Sequence, residues 1–228
     1  MFPEYFLFDK IVCQQANIEN GIPLPENFAD ALICQEGLEH FTNQLDALKE
    51  FNRVLKLHGK LILTTPSYSN LSAKISYLLF ESETTKQMPP NEFDDVWMSE
   101  KEENQKIYFG HLFLIGIQKL RTLSKLAGFN LIEARYMRLS KGSVVYFILF
   151  YPIIVLSSYI RYLIKKYKLR KHPYKYDIIS LYHQQLLLNI NPKHLLNKHL
   201  FLIFEKECHF DEVSLSIRLN TKEFGKIM

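Results

Sequence analysis

Residues 30–66 decide the fold, and their sequence is DALICQEGLEHFTNQLDALKEFNRVLKLHGKLILTTP. The short apolar run 30–34 predicts a strand that is buried on both faces. Apolar residues then recur at helical spacing over 43–55, and the pair His58-Gly59 is expected to end this helix. The β-rich run 60–65 predicts a second strand. Two buried strands joined by one helix predict a parallel βαβ unit.

The composition excludes several classes of protein. With 228 residues, of which 47% are hydrophobic and 23% charged, the chain is long enough for one sizeable domain and too apolar to be disordered. A net charge of +4 does not predict nucleic-acid binding, so no nucleic-acid partner is expected. The three cysteines lie far apart without a CxxC pair, which fits a reducing compartment. The start, MFPEYFLFDK, lacks the pattern of a secretory signal, and a cytoplasmic protein is expected.

Two segments, DALICQEGLEH (30–40) and EFNRVLKLHGKLILTTPS (50–67), resemble class I S-adenosylmethionine-dependent methyltransferases, in the subgroup related to ubiquinone-biosynthesis methyltransferases. In that family an acid opens the fourth strand, Leu-Glu-His follows it, and Arg-Val-Leu-Lys-x-x-Gly leads into the fifth strand. This sequence departs from the pattern at Leu57-His58, where the family usually has Pro-Gly, and at Gly37, where it has a bulkier apolar residue. The resemblance implies an α/β fold with a Rossmann-like methyltransferase sheet, of which strands three to seven are expected here.

The glycine-rich first motif of that family, acid-x-Gly-x-Gly, has no counterpart, because no Gly-x-Gly occurs among the eight glycines. Its glycines let the backbone approach the methionine and ribose parts of the cofactor. By resemblance the chain begins near the third strand, at 10–16. We therefore expect an amino-terminally truncated gene product or a misplaced start codon, with one edge of the fourth strand left unpaired.

The resemblance implies S-adenosylmethionine as cofactor and places its contacts in two segments. Asn17 and Ile18 stand where the family has an acid and an apolar residue beside the adenine. The Asn17 carbonyl can accept the same hydrogen bond, although Asn17 is also interpretable as a turn residue. Cys34, Gln35 and Glu36 follow the fourth strand, at the edge of the sheet where α/β proteins bind ligands, and by resemblance they line the methionine end of the cofactor.

His40 and His111 are the candidate catalytic residues. By resemblance His40 lines the active site, while its neighbour Glu39 is interpreted as stabilising the amino end of the following helix. His111 precedes a helix that Gly128 is expected to cap, and it either faces the acceptor as a base or satisfies a local backbone group. No metal is expected, because transfer of an activated methyl group requires none and no ligand cluster is visible in the sequence.

The second half of the chain departs from the family pattern. Residues 144–160 carry no charge, and 161–175 hold seven lysines or arginines. Tyrosines occur in both, and a basic cluster beside an apolar helix predicts binding of 144–175 to anionic lipid headgroups. A single crossing would separate two strands of one sheet, so the segment is expected either to lie in the membrane interface or to enter the membrane and return, with Pro152 as a bend. The alternative is a helical cap buried on the domain.

These segments divide the chain into a methyltransferase-like core (1–139), an apolar and basic helical insertion (140–196), and a last strand with the tail (197–228). Within the core, 67–81 predicts a helix with Leu71, Ile75, Leu78 and Leu79 on one face. The polar segment 82–106 is either a flap over the substrate or a solvated connector.

The leading hypothesis is methyl transfer from S-adenosylmethionine to an amphipathic or lipid-linked small acceptor at the cytoplasmic membrane face. The alternative is a catalytically inactive, truncated methyltransferase that acts as a membrane-associated interaction protein.

Overall fold

A computed structural model describes residues 12–14, 16–98, 107–135, 137–172 and 175–213. The strands and helices are, in chain order, β1 (Ala29–Gln35), α1 (Gln44–Val54), β2 (Leu55–Pro66), α2 (Leu71–Phe80), β3 (Val96–Met98), β4 (Ile107–Phe109), α3 (Ile117–Leu126), β5 (Phe129–Ala134), α4 (Lys141–Lys168), α5 (Lys175–Ile190), α6 (Pro192–Leu196) and β6 (His199–Lys206). Of the strand predicted at 10–16, residues 12–14 and 16 are not in a strand and the others lie outside the described residues.

The main sheet has the strand order β1-β2-β6-β5. Strands β1 and β2 are parallel, whereas β6 is antiparallel to both β2 and β5. The βαβ unit predicted from residues 30–66 is therefore confirmed, as is the α/β fold class. A separate two-stranded sheet, β3 with β4, borders the polar segment that follows α2.

Helix α1 begins as predicted, because the Asn43 side chain accepts a hydrogen bond from the Asp46 amide at 3.2 Å. The predicted end at His58-Gly59 is wrong, since α1 stops at Val54. Leu55 already pairs with Ala29 of β1, so sheet pairing takes the chain out of the helix. Within the pair His58-Gly59, it is His58 and not the glycine that adopts the left-handed backbone conformation, at φ 63°.

The core lies between one face of the sheet and helices α1 and α3. It is a cluster of buried side chains from all these elements, among them Leu48, Phe51, Leu61, Leu63, Leu120, Phe129, Leu202 and Phe204. The opposite face of β1 is open in the part of the chain that the structure describes, where Ile33 is 68% exposed. The expectation that β1 is buried on both faces is therefore wrong, because α1 and α3 cover only one of them.

Helices α4, α5 and α6 lie between β5 and β6 in the chain, within the predicted insertion. The base of α4 is held by Ser143, whose hydroxyl donates to Asn70 Oδ1 at 3.1 Å and accepts from the Ser72 amide at 3.0 Å. Further along α4, the Ser158 hydroxyl accepts a hydrogen bond from the side-chain amide of Asn189 on α5 at 2.8 Å. The division of the chain into three regions stays a prediction.

Helix α4 is continuous through Pro152 and is mostly exposed. Together with the short turn after it, it forms a 31-residue helical segment, long and apolar enough to cross a membrane. Its most apolar 18 residues have a mean hydropathy of 2.0, and only 6% of that window is buried. The alternative interpretation, a helical cap buried on the domain, is therefore wrong for the described residues.

The apolar face predicted for α2 is only partly buried. Leu71, Ala73 and Ser76 are buried, whereas Leu78 is 78% exposed and Leu79 is 62% exposed. The first half of α2 packs beside the base of α4, where Ser72 contacts Ser143. The last turn extends beyond that contact and leaves its leucines uncovered.

Candidate active site

The loop after β1 has a strained turn at Glu36. This residue adopts the left-handed backbone conformation (φ 47°), and its amide donates to the backbone oxygen of Thr64 at 3.0 Å and to the Thr64 hydroxyl at 3.2 Å. One carboxylate oxygen, Oε2, lies 2.7 Å from Nδ1 of His199 on β6. The other, Oε1, is buried without a hydrogen-bond partner among the described residues. The turn thus leaves one buried acceptor available to a ligand.

Cys34 and Gln35 precede this turn at the end of β1. Burial, followed by the charge of Glu39, raises the pKa of the Cys34 thiol to about 11. The thiol is therefore protonated at neutral pH and is not a nucleophile. A Cβ atom at Gly37 would lie only 3.3 Å from the Cys34 sulfur, which accounts for a glycine where the family has a larger residue.

Glu39 lies in a short 3-10 turn, Leu38–His40, that is separate from α1. Its side chain is fully buried, and its Oε2 accepts a hydrogen bond from the Thr65 hydroxyl at 2.9 Å. Its Oε1 is buried without a hydrogen-bond partner in the described part of the chain. The interpretation of Glu39 as a charge at the amino end of α1 is therefore wrong, because the carboxylate points inward towards β2.

The two candidate histidines come together next to Glu39. His40 Nδ1 lies 2.6 Å from the backbone oxygen of Phe109, and the rings of His40 and His111 have centroids 5.7 Å apart. His111 Nδ1 lies 3.0 Å from the Glu83 carboxylate, and this hydrogen bond raises the pKa of His111. Glu39 Oε1 lies 3.9 Å from His40 Nε2. The structure therefore joins both candidates in one cluster.

Gln44 holds the two turns that carry these histidines. Its side-chain amide donates to the backbone oxygen of Leu38 at 3.1 Å and to that of Phe113 at 2.6 Å. The first oxygen belongs to the turn with His40, and the second to a 3-10 turn, His111–Phe113. Sequence reasoning missed Gln44 because a polar residue on an amphipathic helix is ordinarily exposed, and here it is buried.

His40 lies at the boundary of two clefts. The Asn17 cleft, of about 800 Å³, is lined by Asn17, Ile18 and His40 among others. The Trp97 cleft, of about 570 Å³, is lined by Trp97, His40 and His111 among others. Asn17 also behaves as a turn residue, because its side chain accepts from the Glu19 amide at 3.1 Å. Cys34, Gln35 and Glu36 line neither of these clefts, and the predicted cofactor contacts stay predictions.

Comparison with known proteins identifies one family. Residues 4–63 match the family model described as a methyltransferase domain. None of the curated proteins that were searched matches the chain.

Several solved structures resemble this fold. One is a putative sarcosine dimethylglycine methyltransferase from Galdieria sulphuraria, with 15% identity and a TM-score of 0.36, covering 84% of this chain and 57% of that one. The [4+2]-cyclase SpnF has 14% identity and a TM-score of 0.39, covering 85% and 54%. A putative S-adenosylmethionine-dependent methyltransferase from Listeria monocytogenes has 11% identity and a TM-score of 0.42, covering 87% and 71%. The chain thus spans little more than half the length of the first two.

The family match falls on the βαβ unit whose motifs carry the resemblance. It covers the predicted cofactor segments and ends within β2. In the sheet that holds this unit, β6 lies antiparallel between β2 and β5. Residues 4–63 are therefore similar to part of a methyltransferase domain.

Proposed function

We propose that this protein transfers the methyl group of S-adenosylmethionine to an amphipathic small-molecule or lipid-linked acceptor at the inner face of the membrane. The observation that carries the proposal is the presence, in one chain, of a methyltransferase-domain segment and a long exposed apolar helix, α4. The methyltransferase-domain segment indicates the reaction class, and helix α4 indicates that the acceptor is located at a membrane.

We expect the described residues to hold one side of the cofactor. The buried and unpartnered Oε1 of Glu36 would accept a hydrogen bond from the ammonium group of the methionine part. Asn17 and Ile18 line a cleft large enough for the adenosine part. The family builds the other side from a glycine-rich loop, for which the 228 residues hold no Gly-x-Gly.

S-adenosylmethionine supplies a methyl group already activated by its sulfonium, so the protein chiefly has to orient the acceptor and remove a proton. The Phe109 carbonyl can only accept a hydrogen bond, so Nδ1 of His40 carries the proton and the neutral ring has its lone pair at Nε2. His40 lines both clefts, and we expect this nitrogen to take a proton from an acceptor hydroxyl.

The exposed apolar surface supports membrane association. Ile148, Leu149, Ile153 and Leu156 of α4 are each more than 60% exposed. Contiguous apolar patches of this kind mark protein or membrane contacts. The basic residues at the carboxyl end of the helix, Arg161, Lys165, Lys166, Lys168, Arg170 and Lys171, favour an anionic lipid surface.

Helix α4 is proposed to lie in the interface and not to cross. It leaves the sheet after β5, and the chain returns through α5 and α6 to β6, which pairs with β5. Both ends of the insertion are therefore on the same side of any membrane. An amphipathic acceptor in that membrane would lie beside the domain.

Calorimetric titration of S-adenosylmethionine into the protein is expected to show one site per chain. Replacing Glu36 with glutamine is expected to weaken binding about 10-fold or more, because a charge-assisted hydrogen bond contributes roughly 1.5–3 kcal/mol. The matched control is Glu205→Gln, since Glu205 also pairs with a histidine, His58 at 3.0 Å, but on the surface away from the loop after β1. A folded protein that takes up no cofactor would contradict methyl transfer and favour an interaction protein.

Flotation with phosphatidylglycerol-containing vesicles is expected to carry the protein into the lipid fraction. The double replacement Ile148→Asp and Ile153→Asp is expected to lower the partition coefficient about 100-fold or more, because burial of each side chain contributes roughly 1.5–3 kcal/mol. Ile132→Asp on β5 is the control, since Ile132 is also about half exposed. An equal fall of the partition coefficient in Ile132→Asp and in the double variant would contradict the proposal that α4 contacts the membrane.

A further inference from the structure

Another cleft, the Arg121 cleft, lies between α3, β5 and α5 and is lined by Arg121, Leu131 and Leu181 among others. It shares no lining residue with the Asn17 cleft or the Trp97 cleft. Its volume of about 700 Å³ is within the range of roughly 300–1,000 Å³ that small-molecule sites have. We propose that the Arg121 cleft binds an amphiphile in which a carboxylate or phosphate group is attached to a hydrocarbon chain.

The Arg121 cleft lies at the opposite end of the sheet from the loop after β1. Phe129, which lines the cleft at the start of β5, pairs with Lys206 at the end of β6. The other end of β6 carries His199, which contacts Glu36 in the loop after β1. Helix α5, one wall of the cleft, belongs to the segment in which the chain departs from the family pattern. The cleft is therefore separate from the candidate active site.

Arg121 supplies the charge that an oxyanion requires. Its Nη2 donates to Gln184 Oε1 at 2.9 Å, and no carboxylate forms an ion pair with Arg121 among the described residues. Burial lowers the pKa of Arg121, because the partly buried guanidinium loses hydration without gaining an opposite charge. A guanidinium has several N–H donors in a planar fork, which matches the two oxygens of a carboxylate or phosphate.

The other charged residues of the cleft do not neutralise Arg121. Lys125 and Glu207 form an ion pair with each other. Asp177 is exposed in the first turn of α5, and Gln184, which contacts Arg121, lies roughly 10 Å further along that helix. Water and salt largely screen an exposed carboxylate at such a distance. Arg121 therefore has an uncompensated positive charge inside the cleft.

Apolar side chains from the core and from α5 form the rest of the cleft. Phe129 belongs to the core, and Leu131 and Leu188 pack against it, so they provide a fixed floor. Leu181 and Leu187 line the cleft but are 37% and 49% exposed. A hydrocarbon chain in the cleft would cover them, and its burial would contribute affinity that an inorganic anion cannot obtain. This inference does not rest on the proposed methyl transfer, because binding is measured without cofactor or acceptor.

The test is calorimetric titration of decanoate and of decyl phosphate into the full chain, each below its critical micelle concentration. One site is expected, and affinity should fall about 4-fold for each methylene group removed from the buried chain. Inorganic phosphate lacks the chain and decyl maltoside lacks the charge, so each should bind at least about 10-fold more weakly. Equal affinity for inorganic phosphate would indicate a site for free anions, and equal affinity for the maltoside an apolar groove. Either result would overturn the proposal.

Arg121→Gln is expected to weaken decanoate binding about 10-fold or more, because it removes a charge-assisted hydrogen bond, and to leave maltoside binding unchanged. The matched control is Arg135→Gln, since Arg135 is an exposed arginine just after β5 that already pairs with Glu133. Its replacement should leave decanoate affinity unchanged. Circular dichroism and the retained maltoside affinity should show that Arg121→Gln is folded.

The exposed surface of α4 is the competing place for an amphiphile. The double variant Ile148→Asp and Ile153→Asp alters that surface and leaves the Arg121 cleft intact, so decanoate should bind to it as to the wild type. Loss of decanoate binding in the folded double variant would assign the amphiphile to α4 and overturn the proposal. Unchanged affinity in folded Arg121→Gln, or no binding of decanoate and decyl phosphate by the folded wild-type chain, would overturn it as well.

Discussion

Replacing Lys206 with methionine is expected to lower the free energy of unfolding by about 3 kcal/mol. Lys206 is buried at the end of β6, and its ammonium group donates to the backbone oxygens of Asn52 and Leu55 at 2.7 Å and to Asn27 Oδ1 at 3.0 Å. The two backbone oxygens lie at the carboxyl end of α1, where the helix dipole favours a cation. Methionine fills a similar volume but cannot donate, so these buried acceptors lose their partner.

Urea denaturation followed by circular dichroism measures this change. Lys198→Met is the matched control, because Lys198 directly precedes the same strand and is exposed, and its replacement should change the free energy of unfolding by less than about 0.5 kcal/mol. A loss below about 1 kcal/mol for Lys206→Met would mean that water replaces the ammonium group at the end of α1.

Acidification from pH 7 to pH 5 is expected to lower the free energy of unfolding by about 2 kcal/mol through His194 alone. His194 on α6 is buried, and its Nε2 has no hydrogen-bond partner among the described residues. Burial first, and then the charges of Lys193 and Lys74, lower the pKa of His194 from 6.5 to about 4. In the window between these values the unfolded chain binds a proton that the folded chain does not. Stability is therefore lost as the pH falls from about 6.5 towards 4.

The variant His194→Gln removes this titration, so its free energy of unfolding should fall about 2 kcal/mol less than that of the wild type between the two pH values. His111 titrates in the opposite sense, because its hydrogen bond to Glu83 raises its pKa, but it is common to both proteins and cancels. His183→Gln, at an exposed position, should keep the wild-type dependence. An identical pH dependence in wild type and His194→Gln would refute the assignment.

Much of the fold followed from local pattern. The strand at 30–34, the helix that begins after Asn43 and the strand at 60–65 each have a periodicity that predicts their type, and the observed β1, α1 and β2 agree. The positions of element ends were less predictable. His58-Gly59 has the composition of a helix end, but pairing of Leu55 with Ala29 ended the helix earlier. Sheet pairing is a long-range contact that no local pattern contains.

The candidate site was predictable only in part. The resemblance singled out His40 and His111 separately, with no indication that their rings lie 5.7 Å apart. The sequence indicates that Glu39 stabilises the amino end of the following helix, because an acid before a helix is ordinarily a charge at that end. Its burial depends on the turn Leu38–His40 packing against Thr65 of β2, and on Gln44 holding two turns together.

The sequence by itself determined the βαβ unit, the methyltransferase-like motifs and the existence of an apolar helix followed by basic residues, because each is encoded by neighbouring residues. Only the tertiary structure decided that α4 is exposed, that β1 has an open face, and that Glu39, His40 and His111 meet at one point. Exposure and convergence depend on which distant segments pack against one another, and such packing has no signature in the order of neighbouring residues.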